Sequence, residues 1–387
     1  MYIIKKVILY TGCSIPPLLF YLLIKDNASP PTYMILSLAF LQLLIPVAFD
    51  AIDTRLDMTI GALIAVVTTC RMFMYLIQRQ QGKQIQPFYE VLSIWNQVYP
   101  LPNLKQEPSL DQIRHDAARF LIRAGMYILI YIPLFGFMDG FVRVCQEPPE
   151  SLNTTDAYLS RVWTLGHPSF KFLFYYFWTG ITLTLHIVII PLLHLVFHAI
   201  QLNLVIWLPF HHKLRVRLHH DLAQFVAQPP LFTKPWLTRS VHDLWSRRWH
   251  QVFRSGFLQL AYSPVRRWFT NKTIGRCAGT MAVFICSGLM HDYLILAMMG
   301  YSSPKKGVWG HQTLFFTLQG VGTLVSLKSP RLPTWLAWLL TWIWIVYTAP
   351  IFLEPYIRLG YHHFAQVPGF PNFLDPLMGK LCPFGNK

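Results

Sequence analysis

The stretch CAGTMAVFICSGLMHDYLILAMM, residues 277–299, is an apolar run that contains one histidine and one aspartate, His291 and Asp292. At about 1.5 Å per helical residue, it is long enough to cross a hydrocarbon core of about 30 Å. An ionisable pair inside a lipid-spanning helix is costly unless it faces a cavity or a partner, and such pairs commonly mark functional sites. The stretch therefore predicts a membrane helix with a functional site at His291.

The composition of the whole chain agrees with a membrane protein. Of 387 residues, 53% are apolar and 13% are charged, and the mean hydropathy is +0.37. These values exclude an ordinary soluble globular domain and predict an all-α multi-spanning membrane protein, with residues 1–387 forming a single membrane domain. The six cysteines are widely separated, without the spacing of a zinc site or the density of a disulfide-rich domain.

Apolar windows of about 20 residues give seven candidate spans and one longer run. The seven windows lie at 7–24, 33–50, 57–77, 119–140, 277–299, 308–327 and 334–353. The longer run, 169–209, would make a straight helix of about 60 Å, roughly twice the bilayer, so two helices that meet near Pro191 are expected. The sequence thus predicts about nine transmembrane helices, with interfacial helices in the connections.

Positive charge is concentrated in one segment. Residues 211–276 contain twelve Lys and Arg residues and two Asp residues, so they carry +10 of the chain's net charge of +16. Because Lys and Arg are enriched on the cytosolic side of membrane proteins, this segment is expected to be cytosolic. With nine spans, the amino terminus would be cytosolic and the carboxyl terminus lumenal. If 169–209 is one tilted helix, the amino terminus and the glycosylation sequon at Asn153 become lumenal.

Within the basic segment, residues 240–254 read SVHDLWSRRWHQVFR and predict a helix that begins at the capping pair Ser240 and Asp243. Such a helix would have a polar stripe at positions i, i+3, i+4 and i+7. The stripe consists of Arg247, His250, Gln251 and Arg254. Arginine suits phosphate groups, so the stripe could meet a phosphorylated co-substrate; the alternative is a surface helix whose arginines touch lipid phosphates.

Three interpretations of His291 are open from the residues alone. The imidazole could be a structural group that is hydrogen-bonded between helices. It could activate Ser287, four residues earlier on the same helix face, although such a serine commonly bonds to its own helix backbone. It could also act alone as a general base, because Asp292 points sideways and Cys286 lies about 140° away around the helix.

Other histidines give weaker signals. His186, His194 and His198 share one face of the run 169–209, but no Cys, Asp or Glu lies beside them, so a metal-ligand role is the minor hypothesis. No metal site is therefore predicted. A nucleic-acid partner is not expected either, because the basic segment adjoins membrane spans and its charge is explained by topology.

Three motifs carry a resemblance to a known family. PPLFTKPWLTRSVHDLWSRRWHQVFR at 229–254 resembles the wax-synthase pattern P-L-F-x-x-P followed by S-L-x-D-F-W-G-R-R-W-[HN]. SGLMHDYL at 287–294 resembles that family's S-G-L-M-H-E, and FFTLQGVG at 315–322 resembles its F-F-x-x-x-G. Over about 226–322 the chain is thus similar to the wax-synthase-like family of the membrane-bound O-acyltransferase superfamily.

The resemblance implies an acyl-CoA donor, a lipophilic alcohol acceptor and an intramembrane tunnel in which the two meet. It places the catalytic histidine at His291 and the second family position at His250. The residues expected to hold the coenzyme A part of the donor are Arg247, Arg248, Arg254, Trp245, Trp249 and Gln251. The departures from the family pattern, none of which removes a catalytic group, are Leu244, Ser246 and Asp292.

Three functional hypotheses follow. The favoured one is an O-acetyltransferase of the endoplasmic reticulum that uses acetyl-CoA to esterify a terpenoid or meroterpenoid in secondary metabolism, because chain length and the altered motif are most similar to such fungal enzymes. The alternative is a long-chain wax ester synthase that joins acyl-CoA and a fatty alcohol. A third, of a different class, is a membrane carrier in which buried histidines form a proton path. In either enzyme hypothesis acyl-CoA is a co-substrate, and no permanently bound cofactor is expected.

Overall fold

The computed structural model describes residues 2–24, 29–48, 55–82, 108–145, 170–207, 212–227, 231–249, 251–299, 309–328, 332–360 and 375–382. All regular structure in these ranges is helical. Outside residues 231–271, which form only short helical turns, the helices are α1 (Tyr2–Ile24), α2 (Thr32–Ala48), α3 (Arg55–Gln80), α4 (Leu110–Val144), α5 (Phe170–Trp207), α6 (His212–Ala227), α7 (Lys272–Met299), α8 (His311–Lys328), α9 (Thr334–Arg358) and α10 (Asp375–Leu381). The prediction of an all-α multi-spanning membrane protein is confirmed.

Within the described residues, six helices are long and apolar enough to cross a membrane: α1, α3, α4, α5, α7 and α9. Helix α2 is apolar but has 17 residues, and α8 has 18. Each of the seven predicted windows corresponds to one helix. The interfacial helix expected in the connection after α3 falls on residues that lie outside the described ranges.

The prediction that 169–209 forms two helices is wrong. Helix α5 is continuous from Phe170 to Trp207 and contains Pro191 in its interior. Proline removes one backbone hydrogen bond, but membrane helices tolerate this where neighbouring helices support them. Both halves of α5 have such support: Tyr175 packs in a cluster with Phe141 of α4, and Leu202 packs with Ile113 of α4 and Leu222 of α6. The count of nine spans is therefore not confirmed.

Helix α8 runs antiparallel to both α7 and α9. Gly288 of α7 approaches Thr313 near the start of α8, and Gly320 farther along α8 approaches Met281 earlier on α7. In the same way, the Gln312 side chain donates to the Phe352 carbonyl of α9, whereas Gln319 contacts Thr348, earlier on α9. Helix α8 thus crosses back alongside α7 and joins it to α9.

Residues 231–271, here called the connector, lie at one end of the helices, which we call the connector side. The backbone amide of His242 donates to Ser326 at the end of α8, and Trp338 near the start of α9 donates to the Trp236 carbonyl. Gly256 lies beside Met74 near the end of α3. The end of α3, the end of α8 and the start of α9 are therefore all on the connector side.

The opposite end is called the far side. Ala62, near the start of α3, packs with Leu294 and Ala297 near the end of α7. Lys6 of α1 forms a 2.9 Å ion pair with Asp57 at the start of α3. Helix α1 therefore begins on the far side, and five helices, α1 to α5, lead from there to the basic connector. With α5 as one helix, the one-helix alternative applies: the start of the chain lies on the side opposite the connector, which is the lumenal side if the basic connector is cytosolic as its charge predicts.

The far side contains the most extensive core. The cluster includes Phe141 and Val142 of α4, Tyr176 of α5, Met298 of α7 and Ile357 of α9. A disulfide, Cys145–Cys382, joins the end of α4 to the residue after α10.

An arginine on α4 strengthens that connection. Arg143 bonds to Asp139 at 2.8 Å and to Asp375 of α10 at 2.9 Å. These ion pairs and the disulfide together fix α10 to the far-side end of α4.

Candidate active site

His291 stands where α7 and α8 approach most closely. A methyl group built on Gly288 would lie 2.4 Å from the Thr313 Cα, and one on Gly320 would lie 2.9 Å from the Met281 Sδ. Only glycine allows such contacts, so the glycines of the SGLMHD and FFxxxG motifs bring the two backbones together. The site is eight residues before Met299, which places it about 12 Å from the far-side end of α7.

Aromatic rings hold the His291 imidazole. The Phe316 ring of α8 stacks on it with centroids 4.9 Å apart and planes 18° apart, and the Phe352 ring of α9 meets it at 5.3 Å and 76°. The Nδ1 atom lies 3.4 Å from the Tyr356 hydroxyl, also on α9. The Nε2 atom is buried. An imidazole in this setting can serve as a positioned acid or base shielded from bulk water.

Asp292 caps α8 and does not orient His291. One carboxylate oxygen accepts the Gln312 amide at 3.3 Å, and the other accepts the Thr313 amide at 3.1 Å and its hydroxyl at 2.6 Å. Free amides at a helix start are satisfied by such an acceptor, and the negative charge is favourable there. The expectation that Asp292 points away from the imidazole agrees with this geometry.

The tryptophan motif reaches the same aromatic cluster. The Trp245 ring lies 5.6 Å from Phe316 and 6.2 Å from Phe284. Its indole donates to the Gln319 side chain at 3.4 Å, and Gln319 also accepts from Trp344 at 3.2 Å and donates to Thr348 at 2.9 Å. Gln319 is fully buried. Phe316 therefore links the two sequence motifs, with Trp245 and His291 both in contact with its ring.

The predicted regular helix over 240–254 is wrong beyond its first turn. Ser240 caps the start as expected, by accepting the Asp243 amide at 2.9 Å. The chain then forms a π-helical turn, Leu244–Arg248, and Trp249 is extended with φ −99° and ψ 130°. The backbone carbonyls that would accept helical hydrogen bonds accept bonds from other groups instead. The Thr233 amide donates to the Arg248 carbonyl, and the Gln251 side chain donates to the carbonyls of Trp245 and Trp249.

The arginine and glutamine residues expected to bind the donor are consequently divided into two groups. Arg248 pairs with Asp243 at 2.6 Å and also donates to loop carbonyls, and Gln251 is buried and bonded to the backbone. Arg247 and Arg254 are exposed. Of the expected donor-binding residues, these two have guanidinium groups exposed to solution, while Arg248 and Gln251 bond within the connector.

The two adjacent residues Trp249 and His250 were also expected in the site. Trp249 packs against Phe232 at 4.9 Å and Trp245 at 5.8 Å. His250, the second catalytic residue expected from the resemblance, lies outside the described residues, so its role stays a prediction.

The histidines on α5 take several different contacts. His186 Nδ1 lies 2.8 Å from the Thr182 carbonyl, and the rings of His194 and His198 lie 4.3 Å apart beside Phe225. Among the residues that the structure describes, no three histidine, cysteine or acidic side chains converge as a metal site would require.

Sequence reasoning missed two members of the site. Tyr356 lies three residues beyond the predicted end of the last span, which the helix extends to Arg358. Gln319 was covered by the quoted motif but given no role. The sequence feature that could have identified both residues is a polar side chain within an apolar run, because buried polar groups in a membrane helix need partners.

Comparison with known proteins agrees with the motifs. Residues 228–330 match the membrane bound O-acyl transferase family, and this range includes Trp245, His291 and Phe316. The resemblance stated from the sequence is thereby confirmed over this segment.

The similar proteins described here are all named as O-acyltransferases. The chain is 34% identical over 105 residues to "Probable long-chain-alcohol O-fatty-acyltransferase 1" of Arabidopsis thaliana, covering 26% of this chain and 29% of that protein. It is 35% identical over 101 residues to "Long-chain-alcohol O-fatty-acyltransferase" of Simmondsia chinensis, covering 25% and 27%. It is 30% identical over 105 residues to "Acyl-CoA--sterol O-acyltransferase 1" of Arabidopsis thaliana, covering 26% and 29%. The matches thus span less than a third of each relative.

Proposed function

The chain contains a membrane bound O-acyl transferase segment at residues 228–330, and from this we propose that the protein is an acyl-CoA-dependent O-acyltransferase that esterifies an alcohol. The observation that carries the proposal is the position of His291, deep in α7 and enclosed by Phe316, Phe352 and Tyr356. A water-shielded imidazole suits acyl transfer, because water would otherwise hydrolyse the thioester.

In the proposed reaction His291 acts as a general base. Its basic nitrogen takes the proton of the acceptor hydroxyl as the alcohol oxygen attacks the thioester carbonyl carbon. The carbon–sulfur bond then breaks, and the departing thiolate of coenzyme A takes the proton from the imidazolium. The products are an ester and free coenzyme A, with no acyl-enzyme intermediate. His250 is proposed to position the thioester or to donate towards the developing oxyanion.

The donor is proposed to enter from the connector side. Arg247 and Arg254 are exposed there and are suited to bidentate bonds with the phosphates of coenzyme A. His291 lies 19 residues after Lys272, about 28 Å along α7 from the start of that helix. The acyl end must therefore extend through the proposed intramembrane tunnel, past Trp245, to reach the imidazole.

The comparisons favour a long acyl chain and a long-chain alcohol. Two of the three relatives described above are named for transfer of a fatty acyl group to long-chain alcohols, and the third for transfer to a sterol. The wax-ester alternative has this support, whereas acetyl transfer to a terpenoid in secondary metabolism depends on chain length and the altered motif. We propose fatty-acyl transfer to a long-chain or polycyclic alcohol, in the endoplasmic reticulum membrane.

A donor-competition assay tests this choice. Microsomes that contain the full chain are supplied with radiolabelled palmitoyl-CoA or acetyl-CoA, together with hexadecanol, a sterol or a terpenoid alcohol. We expect labelled ester from palmitoyl-CoA and little from acetyl-CoA. Ester formed from acetyl-CoA alone would replace the long-chain assignment with the acetyltransferase hypothesis. No ester from any pair, with intact protein in the membrane, would favour the carrier hypothesis.

A further inference from the structure

Tyr356 is a polar residue of α9 that meets His291 of α7. Its hydroxyl oxygen lies 3.4 Å from the His291 Nδ1 atom, and its side chain is 7% exposed. Its ring lies 5.4 Å from the Phe352 ring, which itself contacts the imidazole. The Phe352 carbonyl accepts a bond from the buried Gln312 side chain at 2.8 Å. Tyr356 therefore stands on a backbone segment that is fixed against α8.

The tautomer of a catalytic histidine is decided by the hydrogen bond that its other nitrogen makes. For Nε2 to take a proton from an alcohol, Nδ1 must carry the hydrogen, and a buried Nδ1–H needs an acceptor. A tyrosine hydroxyl oxygen can accept that hydrogen. After the proton transfer both nitrogens carry hydrogen, and the same oxygen still accepts from Nδ1, so the contact is preserved through the reaction.

Three described neighbours of His291, Phe316, Phe352 and Asp292, are not suited to accept this hydrogen. Phe316 and Phe352 restrict the plane of the imidazole, and neither has an atom that accepts a conventional hydrogen bond. The carboxylate of Asp292 is bonded to Gln312 and Thr313 at the start of α8. The oxygen of Tyr356 is suited to the task that a carboxylate performs beside other catalytic histidines.

We propose that Tyr356 is a positioning residue, which accepts the Nδ1 hydrogen of His291 and so makes Nε2 the basic nitrogen. The assignment rests on the proposed acyltransferase function and adds to it the group that selects the reactive tautomer. Tyr356 touches the imidazole and is given no contact with the substrates.

The test replaces Tyr356 by Phe and measures both kcat and KM. We expect kcat to fall on the order of 10- to 100-fold, because a buried N–H without its acceptor disfavours the reactive tautomer. The KM for acyl-CoA should change less than about twofold, since donor binding takes place elsewhere. A matched control is Tyr293→Phe, which removes another buried hydroxyl of the bundle, one that donates to the Leu43 carbonyl at 2.9 Å. That variant should keep the wild-type kcat.

A spectroscopic measurement separates this inference from the proposed function. In protein with ¹⁵N-labelled histidine rings, the His291 signals are assigned by their loss in His291→Ala. The wild type should show the hydrogen on Nδ1, and Tyr356→Phe should shift the population towards Nε2. If the wild type transfers no acyl group, the proposed function fails while the tautomer result still tests the contact. Unchanged kcat and an unchanged tautomer in Tyr356→Phe would overturn the role of Tyr356 even in an active enzyme.

Partial recovery of kcat by a second variant is a third criterion, which a purely structural role of Tyr356 would not meet. Tyr356→Gln places an amide oxygen at the end of a flexible side chain, and we expect it to restore part of the kcat lost in Tyr356→Phe. If Tyr356→Gln is as slow as Tyr356→Phe while both variants keep the wild-type unfolding temperature, the acceptor role is wrong.

Discussion

The ring of Phe316 lies nearly parallel to the imidazole of His291, with 4.9 Å between the ring centroids. Phe316 belongs to α8 and His291 to α7, so the stacking depends on how closely these two helices approach. Trp245 also contacts Phe316, and the centroids of these two rings are 5.6 Å apart. A substitution that changes the separation of α7 and α8 should therefore displace the His291 imidazole without contacting it.

Replacing Gly288 by Ala should separate the two helices. The new methyl group would lie 2.4 Å from the Thr313 Cα, and overpacking of this kind costs about 1–3 kcal/mol. We expect a lower unfolding temperature in detergent and reduced acyl transfer. The control is Gly125→Ala on α4, where nothing lies within 4 Å of the added methyl. Equal stability of the two variants would contradict the close approach.

Asp292 should matter for stability and little for chemistry. Replacement by Ala leaves the first amides of α8 without their acceptor, which costs about 0.5–2 kcal/mol. Asn keeps one acceptor oxygen, so Asp292→Asn should retain most of the wild-type stability and kcat. Thermal unfolding and ester formation are measured for both variants. A loss of kcat in Asp292→Asn at unchanged stability would instead make Asp292 a catalytic carboxylate.

His242 should make the connector sensitive to acid. Burial and the nearby Arg247 lower the pKa of His242, against a smaller opposing effect of Asp243. The unfolded chain therefore binds the proton more readily than the folded one, and the stabilisation, complete above the ordinary pKa of about 6.5, is lost as the pH falls towards the lowered value. Unfolding temperatures between pH 8 and 5 should fall less in His242→Gln than in the wild type. Parallel pH curves would show that His242 contributes nothing.

The far side of the bundle should face an oxidising compartment. The Cys145–Cys382 disulfide lies there, and such bonds persist in the lumen of the secretory pathway and are rare in the cytosol. Asn153 lies outside the described residues, but α4 ends and α5 begins on this side, so its sequon should carry a glycan. We expect an endoglycosidase to increase the mobility of the wild type and to leave Asn153→Gln unchanged.

Thiol labelling gives an independent measure of the same topology. The free cysteines are Cys13, Cys70, Cys277 and Cys286. In the denatured, unreduced chain a maleimide should label these four and, after reduction, all six. Six labelled thiols before reduction, or an unglycosylated Asn153 in a lumenal-glycosylation assay, would contradict this orientation.

Much of the helical framework could be predicted from hydropathy. The seven separate apolar windows each correspond to a helix, because a span of about 20 apolar residues has few alternatives in lipid. The run 169–209 could not be resolved this way. Its length suggested two crossings, yet the helix is continuous, with α4 packed along both halves and α6 along the second half. The length of an apolar run does not show which other helices pack against it.

The site was only partly accessible from the sequence. His291 was identified by the cost of an imidazole in an apolar run, which is a local property. The irregular backbone from Leu244 to Trp249 was not, because it depends on tertiary bonds such as that from the Thr233 amide to the Arg248 carbonyl. The Cys145–Cys382 pair was also missed, since the two cysteines are 237 residues apart and spacing carries no information on such a bond.

The most direct measurement of the central claim is acyl transfer by His291→Ala in microsomes, compared with His186→Ala, which alters another histidine inside a membrane helix. Removing the general base should reduce ester formation by about 100-fold or more, with the unfolding temperature close to that of the wild type. His186→Ala should remain active. Undiminished transfer by a folded His291→Ala protein would contradict the assignment of His291 as the catalytic base.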